Sequence, residues 1–350
     1  MITEGIKYTG SKRKIIPYIL EICSELDVYS ALDAFAGTTR VSQAFAQSGY
    51  DTTCNDLSEW SKVFGNCYLL SNKSDDFYQL YIDELNSLQG YNGWFTEIYG
   101  NSEFKQPFQK HNLRKLDAIR NKIDEYDLEY EDKCVLLTSL ILAMDKVDNT
   151  LGHYSAYLKE WSPRSYNVMK LQLPKRFPLI SQNKVVQGDV FDVIKEYYDL
   201  TYFDPPYGSN NEKMPSSRVR YESYYHIWKS VILNDKPEVF GKANRRADSR
   251  DKISGSVFEE FRKNDDGNFI ALEAIERLIK ETNSHYIMLS YGSGGKATKD
   301  ELFSIISSNG NLKMIKEIDY KKNVMSNMRS TNEYINSDGQ YKEYLFLLEK

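Results

Sequence analysis

The chain has 350 residues, 41% of them hydrophobic, enough to bury a large core in one domain or two. Its 50 acidic residues outnumber 45 basic ones, for a net charge of −5, so it is not built to coat nucleic acid by overall charge; any DNA contact must use local basic patches. Cys23, Cys54, Cys67 and Cys134 are too widely spaced for a disulfide framework or a zinc site, and no apolar run approaches the ~20 residues of a membrane span. The polar, basic opening MITEGIKYTGSKRK has no apolar centre, so the chain is expected to be cytoplasmic, with reduced thiols, no bound metal and no membrane partner.

The segment Lys7-Tyr8-Thr9-Gly10-Ser11-Lys12 precedes the first predicted helix, Lys14 to Leu26, whose apolar residues fall on one face. The segment suits a loop over an anionic ligand group with Lys12 as counter-charge, or Ser11 is simply a helix N-cap. Ala31 to Ala36 reads as a strand, Gly37 as a turn, Thr38 to Ser48 as a helix ended by Gly49, and Tyr50 to Asn55 as a second strand. Strand, glycine turn, helix and strand form the first unit of a doubly wound α/β sheet.

Between Trp60 and Pro178 strand signals are scarce. Leu113 to Tyr126 and Cys134 to Val147 are helix-like, Leu137 to Met144 reading as helical core. Lys105 to Lys122 is locally basic, with Lys105, Lys110, Arg114, Lys115, Arg120 and Lys122 against Asp117. The α/β rhythm resumes at Lys184: Val185-Val186 leads to Gly188-Asp189, and Leu200 to Phe203 leads into Asp204. A polar stretch to about Asp266 follows, with Lys242, Arg245, Arg246, Arg250 and Lys252 against Asp248 and Asp251, and suits a loop that orders on DNA or a merely solvated charge run. Helices are expected over Phe269 to Glu281 and Thr298 to Ser308, and strands over His285 to Ser290, Leu312 to Tyr320 and Tyr344 to Leu348. His226, after Tyr224-Tyr225 in this stretch, is close enough to the Asp204–Tyr207 segment in sequence to touch a base or a phosphate; a helix-surface histidine is the plainer reading. Tyr291-Gly292-Ser293-Gly294-Gly295 lacks a following Gly-Lys-Ser/Thr and reads as a flexible loop.

Asp33-Ala-Phe35-Ala-Gly37-Thr38 marks a strand-to-helix turn, where ligands of open α/β sheets bind. Gly37 lets the backbone approach a ligand, Asp33 can accept hydrogen bonds from an ammonium group, and Asp56, after the next strand, can take two ribose hydroxyls. A single turn glycine points to a nucleoside without pyrophosphate, such as S-adenosylmethionine. A turn glycine with a capping aspartate is the bland alternative.

Asp204-Pro205-Pro206-Tyr207 ends a hydrophobic strand in a stiff extended turn. Adenine's exocyclic amine is a poor nucleophile because its lone pair is delocalised. Asp204 and the Pro205 carbonyl can each accept one of its N–H groups and aim the lone pair, with Tyr207 stacking on a base drawn out of the duplex.

In these pieces the chain resembles the D12-class, Dam-like family of adenine-N6 DNA methyltransferases: Lys7–Lys12, Asp33–Thr38, Asp56, Gly188-Asp189 and Asp204–Tyr207, in that order. Asp145–Thr150 and Tyr154–Trp161 also resemble a subgroup's pattern. The resemblance implies a Rossmann-like α/β fold with a mixed seven-stranded sheet and a reversed final strand. It implies S-adenosylmethionine as cofactor, with Asp189 on its adenine, Asp33 on its amine and Asp56 on its ribose, and Tyr8, Lys12, Phe35, Gly37, Thr38 and Asp204 around it. Thr39 stands where many relatives carry a second glycine. The expected organisation is a catalytic domain of residues 1–60 and 180–350, a helical target-recognition insertion of residues 61–179, and a DNA-contacting mobile segment of residues 208–266. The partner is double-stranded DNA, in a restriction-modification, orphan or phage context, with Lys105, Lys110, Arg114, Arg245, Arg246, Arg250, Lys321 and Lys322 as phosphate contacts. N4-cytosine or RNA amine methylation, and a catalytically inactive DNA-binding subunit, are the alternatives.

Overall fold

The computed structural model describes residues 2–100, 106–207, 221–250, 256–260, 262–319 and 341–350. In chain order the elements are α1 (Ile16–Ser24), β1 (Ser30–Asp33), α2 (Arg40–Gln47), β2 (Asp51–Asp56), α3 (Glu59–Gly65, continued by a π-turn to Leu70), α4 (Asp75–Ser87), α5 (Trp94–Gly100), α6 (Lys110–Glu125) and α7 (Tyr130–Asp145). There follow β3 (Lys184–Gln187), α8 (Val190–Val193), β4 (Tyr198–Phe203), α9 (Tyr221–Tyr224), α10 (His226–Leu233), β5 (Val239–Phe240), β6 (Arg245–Arg246), α11 (Ile270–Glu281), β7 (Ser284–Gly292), α12 (Lys299–Ser308), β8 (Asn311–Asp319) and β9 (Lys342–Glu349).

Seven strands form one sheet in the order β3-β2-β1-β4-β7-β9-β8. β2 with β3, β1 with β4 and β4 with β7 pair parallel, whereas β9 runs antiparallel to both β7 and β8. The mixed seven-stranded sheet and its reversed final strand agree with what the resemblance implies. Central β4, YDLTYF, is buried along nearly its whole length, as expected of a parallel strand covered on both faces. Edge strand β8 carries the exposed Lys313, and its half-buried Lys316 pairs with Glu21 at 2.7 Å.

The chain forms two compact units. One comprises residues 1–16, 36–187 and 220–251, and the other residues 17–35, 188–219 and 252–350. The helical elements α3 to α7 therefore share a unit with β2 and β3. Their common core includes Trp60, Phe64, Tyr78, Leu116, Leu140, Met144 and Trp228. α7 buries most of its surface, in keeping with a sequence that is apolar around most of its circumference. α6 also supplies a polar lock. Buried Asp117 accepts hydrogen bonds from the N–H groups of Gly93, Phe95 and Thr96 (3.1, 2.9 and 2.9 Å) and from the Thr96 hydroxyl (2.6 Å), which fastens the start of α5. In the other unit α12 begins with a capping box formed by Thr298 and Glu301.

One expectation changes here. The polar stretch read as a loop carries, within its described part, two helices (α9 and α10) and the β5–β6 hairpin. The packing face of α10 mixes His226, Trp228 and Ser230 with Ile227 and Val231, so it shows no clean aliphatic stripe in the sequence.

Candidate active site

β1 and β4 are neighbours in register, with Asp33 opposite Tyr202, and the Ala34 N–H donates to the Tyr202 carbonyl at 3.1 Å. After β1 the strand order runs outward through β2 and β3, and β4 returns on the other side of β1. This is the topological switch point, the crevice where open α/β sheets bind ligands. Asp33 is the last residue of β1 and is 1% exposed; Asp204 is the first residue past β4 and is half-buried. The fold therefore places the strand-end acid Asp33 beside the strand that delivers the tetrapeptide.

The tetrapeptide's aromatic end is held from behind. The Tyr207 ring lies 4.8 Å from the Tyr291 ring, and the Lys296 N–H donates to the Tyr207 carbonyl at 3.3 Å. A Cβ on Gly292 would stand 2.2 Å from the Tyr341 hydroxyl and 3.1 Å from that of Tyr207. One on Gly295 would stand 2.4 Å from Tyr291 and 3.0 Å from Tyr207. The glycine-rich loop is thus a packed wall behind Tyr207, not merely a flexible connection. Tyr291, Gly292 and Gly295 are site residues that the sequence reading missed; their signal was a tyrosine and three glycines directly after a strand. On the same compact unit Phe35 packs edge-on to Phe203 and Phe258, Phe191 stacks on Phe258, and the Arg277 guanidinium lies 4.0 Å from the Phe191 ring. Asp189 is exposed and caps α8 through the Phe191 N–H, at 2.9 Å.

In the other unit the glycine turn is organised around Asp56. One carboxylate oxygen accepts the Gly37 N–H (2.8 Å) and the other the Ser58 N–H (2.9 Å). Burial raises the Asp56 pKa above the usual carboxylate range, with these hydrogen bonds pulling against it. Gly37 has φ +54° and lies against Tyr8, so an added Cβ would meet that ring at 3.1 Å. Burial also drives the Tyr8 phenol well above its ordinary pKa. Lys12 and Thr38 are both buried. Thr39, fully buried, adopts φ 61° and ψ 14°, a left-handed conformation that a β-branched residue rarely takes. The backbone there has the shape a glycine would prefer, which is why a second glycine suits this turn.

The basic candidates separate. Lys110 and Arg114 are exposed on α6, but Lys115, Arg120 and Lys122 of the same run are engaged internally, with the Asn86 carbonyl, with Asp124 and the Ile232 carbonyl, and with Glu84 and Glu125. Arg245 and Arg250 sit 4.7 and 4.9 Å from the Phe240 ring, and Arg250 is exposed. Arg246 is a correction. It is 3% exposed and its guanidinium is committed to Asp235 (2.7 Å) and Asp248 (3.0 Å), so it holds the hairpin rather than facing a phosphate. His226 is a second correction: it is fully buried, its Nε2 lies 3.0 Å from the Tyr154 carbonyl, and burial lowers its pKa to about 3, so the ring is neutral. Lys105, Lys321 and Lys322 lie outside the described residues. The four cysteines are buried free thiols. No described helix is long and apolar enough to cross a membrane.

The family model of the D12 class N6 adenine-specific DNA methyltransferases matches residues 8–291. The chain belongs to that family. It is 27% identical to the Type II methyltransferase M.NlaIII of Neisseria lactamica over 99% of each chain. It is 28% identical to the modification methylase StsI of Streptococcus sanguinis over 94% of this chain, and 26% identical to the Type II methyltransferase M.FokI of Planomicrobium okeanokoites over 99% of it. It spans about half the length of those two relatives (50% and 53%).

Proposed function

We propose that this family member is a site-specific DNA adenine methyltransferase that modifies N6 of an adenine drawn out of double-stranded DNA, in the modification half of a restriction-modification system. The carrying observation is the delivery of Asp204–Tyr207 from β4 at the switch point, beside the end of β1, with Tyr207 backed by Tyr291 and the glycine-rich loop. S-adenosylmethionine supplies an electrophilic sulfonium methyl when bound. The residue chemistry suits it: in one unit Asp33 for the amine and Asp189 for the adenine amine, with Phe35 as an apolar contact; in the other Asp56 for the ribose hydroxyls and Lys12 for the carboxylate, with Tyr8, Gly37 and Thr38 as further candidates. Each Asp56 oxygen already accepts one backbone N–H, which aims its remaining lone pairs.

In this reading Asp204 and the Pro205 carbonyl accept the target amine's two N–H groups. That would favour a tetrahedral nitrogen with its lone pair freed for methylation; the methyl group would come from the bound cofactor, and Asp204 would hold the amine while its extra proton is lost. Pro206 stiffens the turn and Tyr207 supports the base by stacking. Residues 61–179 act as the target-recognition insertion of a catalytic part made of residues 1–60 and 180–350. Lys110, Arg114, Arg245 and Arg250 contact phosphates, and residues 208–266 include a DNA-contacting segment.

The test is modified-base sequencing of DNA from a methylation-deficient host carrying the wild-type chain or Asp204→Ala. N6-methyladenine within one sequence context, lost in the variant by about 10²-fold or more, is expected. N4-methylcytosine as the product, or near-normal turnover by Asp204→Ala, would overturn the assignment.

A further inference from the structure

Tyr8 is the inner ring of an aromatic stack. Its ring lies 4.7 Å from Tyr225 at 20° and 5.4 Å from Tyr221 at 27°, and Tyr225 stacks on Trp228 at 4.3 Å and 15°. Tyr225 and Trp228 are at most 1% exposed and lie at the end of α9 and in α10. Both tyrosine hydroxyls reach the backbone of the residue after Tyr8. The Thr9 N–H donates to the Tyr225 hydroxyl at 2.8 Å, and that hydroxyl donates to the Thr9 side-chain oxygen at 3.4 Å. The Tyr221 hydroxyl donates to the Thr9 carbonyl at 3.3 Å. On its other side Tyr8 meets Gly37, whose N–H is held by Asp56.

These contacts run in sequence from α9 and α10 to Thr9, Tyr8, Gly37 and Asp56. Van der Waals packing fixes the plane of Tyr8, and the Tyr225 and Tyr221 hydroxyls fix the height of the Lys7–Lys12 loop over the glycine turn. We propose that Tyr225, assisted by Tyr221, is a positioning residue for the cofactor: it touches no reacting atom but sets the loop that carries Tyr8 and Lys12. The inference rests on the reading that this loop and the Asp56 turn bind S-adenosylmethionine. It goes beyond that reading by assigning cofactor affinity to two phenol groups some 210 residues away in the chain. Both rings also contribute to packing, so the prediction concerns the hydroxyls alone.

The experiment compares the full-length wild type with Tyr225→Phe, Tyr221→Phe and the double variant, which keep every ring. Binding of S-adenosylmethionine is measured by calorimetry without DNA, alongside thermal unfolding, DNA affinity, and kcat and KM. The expected result is a rise of about five- to tenfold in cofactor Kd for Tyr225→Phe, and more for the double variant. KM for the cofactor should rise in parallel, while kcat at saturating cofactor, DNA affinity and melting temperature hold. A cofactor Kd within twofold of wild type in the double variant overturns the proposal. So does a loss of cofactor affinity that simply follows a lower melting temperature and weaker DNA binding. Failure of the wild type itself to bind S-adenosylmethionine would instead refute the cofactor reading, which separates the two claims.

Discussion

Asp148 and His226 are both buried, and burial moves their titrations in opposite directions. Asp148 is 1% exposed and pairs with Arg164 at 2.5 Å. Desolvation outweighs that partner and the Thr150 hydroxyl, so its pKa is pushed from 3.8 up to about 6. The folded state therefore holds more protons at Asp148 than the unfolded chain between those values, and this group's contribution to stability falls as pH rises through the window. His226 is depressed from 6.5 to about 3, so there the unfolded chain binds more protons, and stability rises with pH. Between about pH 4 and 6 the two slopes oppose each other. Asp148→Asn should remove one of them, and its stability should climb more steeply with pH than that of the wild type. Urea unfolding midpoints at three pH values across the window check this; parallel curves would refute it.

At the scale of elements, helix ends show which polar residues are structural. Asp117 looks like an interruption in a basic helix, yet its carboxylate satisfies three N–H groups and one hydroxyl at the start of α5. Truncation leaves those buried donors without an acceptor. Asp117→Ala is expected to destabilise the chain by roughly 3 kcal/mol. Local exchange at α5 amides, measured by hydrogen–deuterium exchange, should rise before the rest of the helical core; unchanged protection at α5 would contradict the role. The β5–β6 hairpin follows the same logic. Two arginines adjacent in sequence have different tasks, since the alternation of a strand points Arg246 inward to Asp235 and Asp248 and leaves Arg245 stacked on Phe240.

At the scale of the whole molecule, under the proposed function a net charge of −5 leaves DNA contact to a few surface cations. Removing Arg245 and Arg250 together should weaken DNA binding and flatten the dependence of log Kd on log salt by about one to two, since each lost phosphate contact is worth about 0.9 in slope. Arg246→Ala should behave differently: a loss of about 2 kcal/mol of stability with an unchanged slope, because its charge is spent inside the protein. Filter binding over a salt series distinguishes these outcomes, and identical salt slopes for the wild type and the Arg245/Arg250 variant would remove those residues from the interface.

The sequence alone determined the features that depend on local chemistry. β1 with its glycine turn, β2 ending at Asp56 and β4 ending in Asp204–Tyr207 are legible because strand periodicity, glycine and proline act within a few residues. The tetrapeptide and the turn also carried the family resemblance. Tertiary structure alone decided which charges are available and what backs Tyr207. Arg246 and Arg250 are both arginines in one basic run, and burial separates them. From sequence His226 reads as a surface residue, because a lone histidine carries no periodic signal; packing buries it. The wall behind Tyr207 is built from Tyr291, Gly292 and Gly295, and Thr9 is held by Tyr221 and Tyr225. Such contacts join residues far apart in the chain, and their geometry exists only once the strands and helices have packed.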